Sequence, residues 1–283
     1  MVDERLHDKT KLSVYLLLLR LSPIILEKPM RIIHQNLTFD ARFVALVKER
    51  FKAGTFLYSL MTFFEGLLKN KFISAIQLIS ESFIALILFL PVPFLSTFIK
   101  SFAIGCKGVF GYYLRSLLFR QKCAFVGANV LISRGVEIRN LAQMEIGNFA
   151  YLDQGVTIMC PASIGQHCHI AFGVFVSGGG SLKVEDYASI GMRSIVLTST
   201  DTAGRGFRAT GPMVPAAERK VIRKETIFRR DSFTGPLALI FPGVVMAEGS
   251  VLSGGSVMRR NAREWTVYHG NPARAISIRK EVL

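Results

Sequence analysis

Charge is scarce in this chain. Only 19% of its 283 residues are Asp, Glu, Lys or Arg, while half are hydrophobic and the mean hydropathy is +0.37. That is greasy for a soluble enzyme. Cysteine is also sparse: Cys106, Cys123, Cys160 and Cys168 fit no C-x-x-C metal spacing and no disulfide framework, so reduced thiols are expected. No basic stripe with interleaved aromatics is present, which argues against nucleic acid as a partner. The first ten residues, MVDERLHDKT, carry acids and lack the shape of a secretion signal, so a cleaved leader is not expected. The charge that remains is lopsided, with 35 Lys+Arg against 20 Asp+Glu and a net +15 spread over both halves. Such an excess suits anionic lipid or phosphate-bearing ligands.

What the chain has instead is a beat of six. Ile146, Leu152, Ile158, Ile164, Ile170 and Val176 recur at that interval, and Val126, Ile132 and Ile138 precede them. The register slips by two at Gly178–Ser181, after which Val184, Ile190 and Val196 resume it. A second run comprises Phe228, Thr234, Ile240, Met246, Leu252 and Met258, with only Thr234 out of character. The period is neither 3.6 nor 2, so it belongs to neither an ordinary helix nor an ordinary strand. It is the mark of a parallel β-helix. Each hexad gives a short strand and a turn, the aliphatic side chain points inward, and Gly147, Gly165 and Gly191 are placed to let the chain turn. Three hexads make a triangular coil, and about six coils fit.

Residues 1–120 read differently, as a hydrophobic helical region, with the β-helix over 121–283. The greasiest stretch is 72–102. Ser82–Ile99 runs eighteen residues without a charge, the minimum for a spanning helix, but Pro91 and Pro93 interrupt it. Basic residues flank it on both sides. The expectation is a re-entrant or interfacial segment on an anionic membrane surface, with a buried hairpin in a helical cap and a single transmembrane helix as the alternatives. The beat also stops over 198–224, a loop rich in Gly, Pro, Arg and Lys, and long loops leaving a regular solenoid are commonly functional.

The stretches IGNFAYLD (146–153), IGQHCHIA (164–171), VEDYASIGMRSIVLT (184–198), 233–258 and YHGNPARAI (268–276) resemble the hexapeptide-repeat acyltransferases. The nearest branch is the sugar O-acetyltransferases of polysaccharide and lipopolysaccharide assembly. The resemblance covers roughly 120–280 and implies a mainly β fold, a left-handed parallel β-helix that assembles as a homotrimer. It further implies acetyl-CoA as co-substrate, a sugar or glycolipid acceptor, and a site between subunits. Together with the greasy segment, it places the protein on the cytoplasmic face of a bacterial inner membrane.

Acyl transfer to a hydroxyl needs a base, an oxyanion donor and a thioester held in line. In the family that this chain resembles, the base is a histidine after a coil ending like L-T-G-T-H. Here the stretch is Val196-Leu197-Thr198-Ser199-Thr200-Asp201, and no histidine lies from 170 to 268. Asp201 could be the base if burial raises its pKa, or merely a turn residue opening the loop. His167 or His169 could accept the proton instead, or form a structural polar pair. Catalysis could also have been lost, leaving a scaffold. A further alternative is an N-acetyltransferase acting on a nucleotide-linked amino sugar, because an amine can arrive unprotonated and needs no strong base. No third histidine at sensible spacing supports a metal site. The resemblance implies that Asp153 touches the acceptor, with a turn aspartate between strands as the alternative. It also implies that Ser253 and Gly254 lie along the pantetheine arm, and that Arg259, Arg260, Asn271, Arg274, Arg279 and Lys280 meet the nucleotide part of CoA. Arg205 and Arg208 in the loop are candidates for an anionic acceptor.

Overall fold

The computed structural model describes residues 38–49, 53, 56–89, 101–202, 206–208 and 214–282. The chain divides into two compact units, Met1–Leu131 and Ile132–Leu283.

The described part of the first unit is mainly helical: α1 (Ala41–Lys48), α2 (Phe56–Lys69), α3 (Lys71–Phe89) and α4 (Gly108–Lys122). Asp40 caps α1 by accepting from the Arg42 N–H at 2.9 Å, and Asn129 Nδ2 donates to the same carboxylate at 2.9 Å. Lys48 of α1 and Lys69 of α2 both grip Glu65 at 2.6 Å. Their hydrogen bonds, Lys48 first, bring its carboxyl down to about 2.

The membrane expectation for 72–102 is not met by the described residues of that stretch, 72–89 and 101–102. Among the described residues no helix is long and apolar enough to cross a membrane. The uncharged run begins one residue after Glu81, and α3 carries Glu81 fully buried. Its Oε1 accepts from Thr38 N at 3.2 Å, Gln77 Nε2 at 3.0 Å and the Tyr113 hydroxyl at 3.3 Å. Burial pushes its carboxyl up, against the pull of Arg120. A helix that carries a carboxylate paired with protein groups in this way is packed on protein along that face. Pro91 and Pro93 lie outside the described residues.

The rest is strands in threes: β1–β3 (Phe125–Val126, Leu131–Ile132, Glu137–Ile138), β4–β6 (Met144–Ile146, Tyr151–Leu152, Thr157–Ile158), β7–β9 (Ala162–Ile164, His169–Ile170, Phe175–Val176) and β10–β12 (Ser181–Val184, Ser189–Ile190, Ile195–Val196). A hairpin of β13 (Ser199–Asp201) and β14 (Val221–Arg223) interrupts them. Then come β15–β17 (Glu225–Phe228, Phe233–Thr234, Leu239–Ile240) and β18–β20 (Val245–Met246, Val251–Leu252, Val257–Met258). A seventh turn begins at β21 (Thr266–Gly270), and β22 (Ala273–Ile278) folds back on it antiparallel. Within the second unit the strands stack in three parallel sheets, β4-β7-β10-β15-β18, β5-β8-β11-β16-β19-β21 and β3-β6-β9-β12-β17-β20. This is the β-helix that the beat announced.

Every aliphatic residue of the two clean runs is inside, at 2% exposure or less. Thr234, the exception in the pattern, is also fully buried, and its Oγ1 accepts from the Gly191 N–H at 3.0 Å. A hydroxyl is tolerated there because it has a donor. Gly147, Gly165 and Gly191 serve a different purpose from the one expected. None has positive φ. They are needed for room: a Cβ on Gly191 would stand 2.4 Å from the Thr234 carbonyl oxygen of the next turn. The left-handed turn conformation falls instead on residues with side chains at one corner: Phe149, His167, Tyr187 and Asp231, with φ of 57°, 56°, 61° and 55°. Each costs about 1–2 kcal/mol.

Candidate active site on the second sheet and its loop

Strand pairing sets Tyr151 beside His169, and His169 beside Ser189, on the outer face of one sheet. The Tyr151 and His169 rings stack, with centroids 5.0 Å apart and planes 4° apart. Asp153 leaves the same strand two residues after Tyr151, so period 2 puts both on one side. Its Oδ1 accepts from the Tyr151 hydroxyl at 3.0 Å and from the Gln154 N–H at 2.6 Å. The Ser133 hydroxyl stands 3.4 Å from the Tyr151 oxygen. Asp153 Oδ2 faces His169 Nε2 at 4.0 Å. Nε2 is covered and has no hydrogen-bond partner among the described residues, while the His169 side chain as a whole is 44% exposed. Burial lowers the His169 pKa, with Asp153 pulling the other way.

His167 sits two residues earlier, on the corner, in a different company. Its ring stacks between Phe149 and Tyr187, 4.9 Å from each and within 4° of parallel. The Arg230 guanidinium closes the column 5.2 Å over Tyr187. Ring pairs of this kind contribute about 0.5–1.5 kcal/mol, comparable to the left-handed strain that they sit on. His167 is a rung of a corner ladder.

Asp201 ends β13 and is exposed, across from Val221 in the hairpin, so the burial invoked for a base there is missing. The root of the loop is tightly clamped. Thr198 Oγ1 donates to the Ser177 carbonyl at 2.7 Å, Thr198 N–H donates to Ser177 Oγ at 2.9 Å, and Ser199 Oγ donates to the Gly178 carbonyl at 2.5 Å. A Cβ on Gly180 would lie 2.2 Å from the Lys224 carbonyl oxygen, which explains glycine at the slip. Arg208 is paired with Glu218 inside the loop. Arg205 lies outside the described residues.

At the C-terminal end Ser253 donates its N–H to Tyr268 O at 2.8 Å and Gly254 is exposed. Arg259 stacks over Phe241 at 4.6 Å. Arg260, Asn271, Arg274 and Lys280 are exposed. Arg279 is engaged differently from its neighbours. It donates to the carbonyls of Asp231 at 2.8 Å and Gly249 at 3.1 Å, and lies 5.6 Å over Trp265. Its guanidinium braces the backbone of the corner. Among the described residues no His, Cys, Asp or Glu cluster is placed to hold a metal ion.

Tyr151 and the hydroxyls of Ser177, Thr198 and Ser199 escaped the reading of the sequence. Spacing held the signal for the first: Tyr151 and His169 are eighteen residues apart, one full coil, as are Phe149 and His167.

No family model matches the chain. It is 26% identical over 165 residues, 56% of its length and 83% of the relative's, to dTDP-4-amino-4,6-dideoxy-D-glucose acyltransferase from Escherichia coli. Among solved structures it resembles AntD, an N-acyltransferase from Bacillus cereus. One AntD mutant, in complex with dTDP-4-amino-4,6-dideoxyglucose and coenzyme A, superposes with a TM-score of 0.56 at 30% identity, covering 59% of this chain and 90% of that one. AntD with dTDP and 3-hydroxybutyryl-CoA gives a TM-score of 0.57 at 29% identity, covering 60% and 90%. The E. coli relative is named as an acyltransferase of a nucleotide-linked amino sugar and AntD as an N-acyltransferase, and neither name bears out the membrane surface on the cytoplasmic face expected for 72–102.

Proposed function

Because the chain belongs to the hexapeptide-repeat, left-handed β-helix acyltransferases, we propose that it moves an acyl group from coenzyme A to the amine of a nucleotide-linked amino sugar. The observation that carries this reading is the likeness to the E. coli and B. cereus relatives, and the loop is in keeping with it: where the resemblance expects a histidine, Asp201 stands exposed on a hairpin. A sugar hydroxyl must lose its proton as it attacks and depends on a well-placed base there. An amine attacks through its own lone pair and sheds its proton afterwards, when it is far more acidic. The E. coli and B. cereus relatives favour the same choice, so amine transfer replaces O-acetylation of a polysaccharide as the leading reading. The acyl group is acetyl or a longer chain, since AntD is seen with a 3-hydroxybutyryl thioester.

Asp153 is the acceptor contact in this proposal. Ser253 and Gly254 border the pantetheine arm, and Arg259, Arg260, Asn271, Arg274 and Lys280 meet the CoA phosphates. Arg279 has a bracing role instead. The assembly is a homotrimer. Its supporting observation is an apolar strip on the solenoid, Phe172, Met192 and Leu237 on successive turns beside Phe175 and Ile195, each between 38% and 63% exposed. Such strips mark contact surfaces.

The test uses the full chain, acetyl-CoA or 3-hydroxybutyryl-CoA, and dTDP-4-amino-4,6-dideoxyglucose. Mass spectrometry is expected to show one acyl group added to the amino sugar, with one free thiol released per product. Calorimetry that finds no CoA binding contradicts the reading.

A further inference from the structure

The proton acceptor missing from the loop has a replacement on the second sheet. We propose that His169 is the general base of the transfer and that Asp153, itself fixed by Tyr151, is the residue that orients it. The inference rests on the amine-transfer reading above and adds the group that handles the proton.

The geometry is built from three adjoining positions. Tyr151 lies flat against His169 and sends its hydroxyl to Asp153 Oδ1, where the Gln154 N–H also ends. With Oδ1 doubly held, the carboxylate cannot swing freely, and Oδ2 is left turned toward His169 Nε2 at 4.0 Å. A covered Nε2 opposite a carboxylate carries the ring proton, because two acceptors facing each other repel. Its partner nitrogen Nδ1 then holds the lone pair, on a ring that is 44% exposed. Tyr151 on β5 stacks on the imidazole, Asp153 just after β5 faces its Nε2, Ser189 on β11 is its register neighbour on the other side, and Cys168 is the buried residue before it. Asp153 is the only carboxylate among them. Burial lowers the pKa of His169, so the imidazole is neutral and ready to accept near neutral pH. His167 lacks this arrangement: its ring is stacked between Phe149 and Tyr187, and among the described residues it forms no ion pair with a carboxylate.

The step balances. The amine nitrogen attacks the thioester carbon and a C–N bond forms. Nδ1 takes one proton from the resulting ammonium, the C–S bond breaks, and the same proton passes to the departing CoA sulfur. The imidazole ends neutral, and the products are an amide and a free thiol.

The experiment compares pH–rate profiles of the full chain with those of His169→Gln, Asp153→Asn and Asp201→Asn, using acetyl-CoA and the dTDP-linked amino sugar. His169→Gln is expected to lower kcat by about 10²–10⁴-fold with little change in KM. It should also erase the acidic limb due to imidazole, whereas the amine's own titration is common to all variants. Asp153→Asn should lower kcat and move that limb to lower pH, because the attraction that holds the proton on the ring is gone. If His169→Gln keeps the limb and most of kcat, or if Asp201→Asn erases it, the proposal is overturned. A second measurement does not depend on turnover: nitrogen NMR of the imidazole is expected to show the Nε2–H tautomer in the native chain. The Nδ1–H tautomer would overturn the proposal even in an active enzyme. An inactive native chain with the Nε2–H tautomer would contradict the amine-transfer reading and leave the dyad standing.

Discussion

Two columns of rings climb the β-helix side by side, and the one on the sheet face has the Asp153 carboxylate paired with its histidine. The corner column, Phe149, His167 and Tyr187, and the face column, Tyr151 and His169, have nearly the same stacking: planes within 4° and centroids 4.9–5.0 Å apart. Both spacings derive from the rise between neighbouring turns, about 4.8 Å. The columns differ in backbone conformation and in the company their rings keep. The corner residues occupy left-handed turns and use their rings to offset that strain. The face residues sit in relaxed strand geometry, and Asp153, two positions after Tyr151, reaches back to them. Ring stacking alone is architecture, and a carboxylate at the edge of the stack turns it into a candidate proton relay.

Both columns rest on one core and are most strongly disturbed from beneath. Ile170, fully buried behind His169, belongs to the core that both columns share. Ile170→Ala is expected to cost about 2–5 kcal/mol, read as a fall in the denaturant midpoint, and to loosen the two columns together. Tyr187→Ala should separate them. It removes one rung of the corner ladder, costs about 1 kcal/mol of stability, and leaves the acidic limb of the pH profile in place. Tyr151→Phe keeps the face stack and removes only the hydroxyl to Asp153. Its expected stability cost is about 0.5–1.5 kcal/mol, with kcat falling several-fold, as checked by parallel melting and rate measurements. The smallest effect lies in the helical unit. Glu65, held down to about 2 by Lys48 and then Lys69, contributes stability that is complete above its ordinary value of 4.5. That contribution should fade as pH falls from there toward 2, which an acid titration followed by helical circular dichroism would register.

The hexad made the β-helix legible because each inward position is chosen by one dominant force, burial of an aliphatic chain, repeated turn after turn. Even its blemish, Thr234, keeps the inward direction. The site was only half legible. Asp153 and His169 could each be singled out, but their meeting depends on the eighteen-residue coil, and a two-residue slip at Gly178–Ser181 stretches the next interval, His167 to Tyr187, to twenty. Reading by hexads from the inward residues shows where the core is and says little about which outward side chains touch. The helical unit was least legible. Glu81 stands directly before the uncharged run, and its partners Thr38 and Tyr113 are more than thirty residues away in sequence. Polar contacts over such separations leave no periodic trace.

The central claim is that this β-helix acylates an amine and not a hydroxyl. The most direct measurement is a competition in which one reaction contains equal concentrations of the dTDP-linked 4-amino sugar and its 4-hydroxy counterpart, with limiting acyl-CoA. The account predicts that the acyl group ends on the amino sugar by at least about tenfold. Equal labelling, or preference for the hydroxyl sugar, would contradict it.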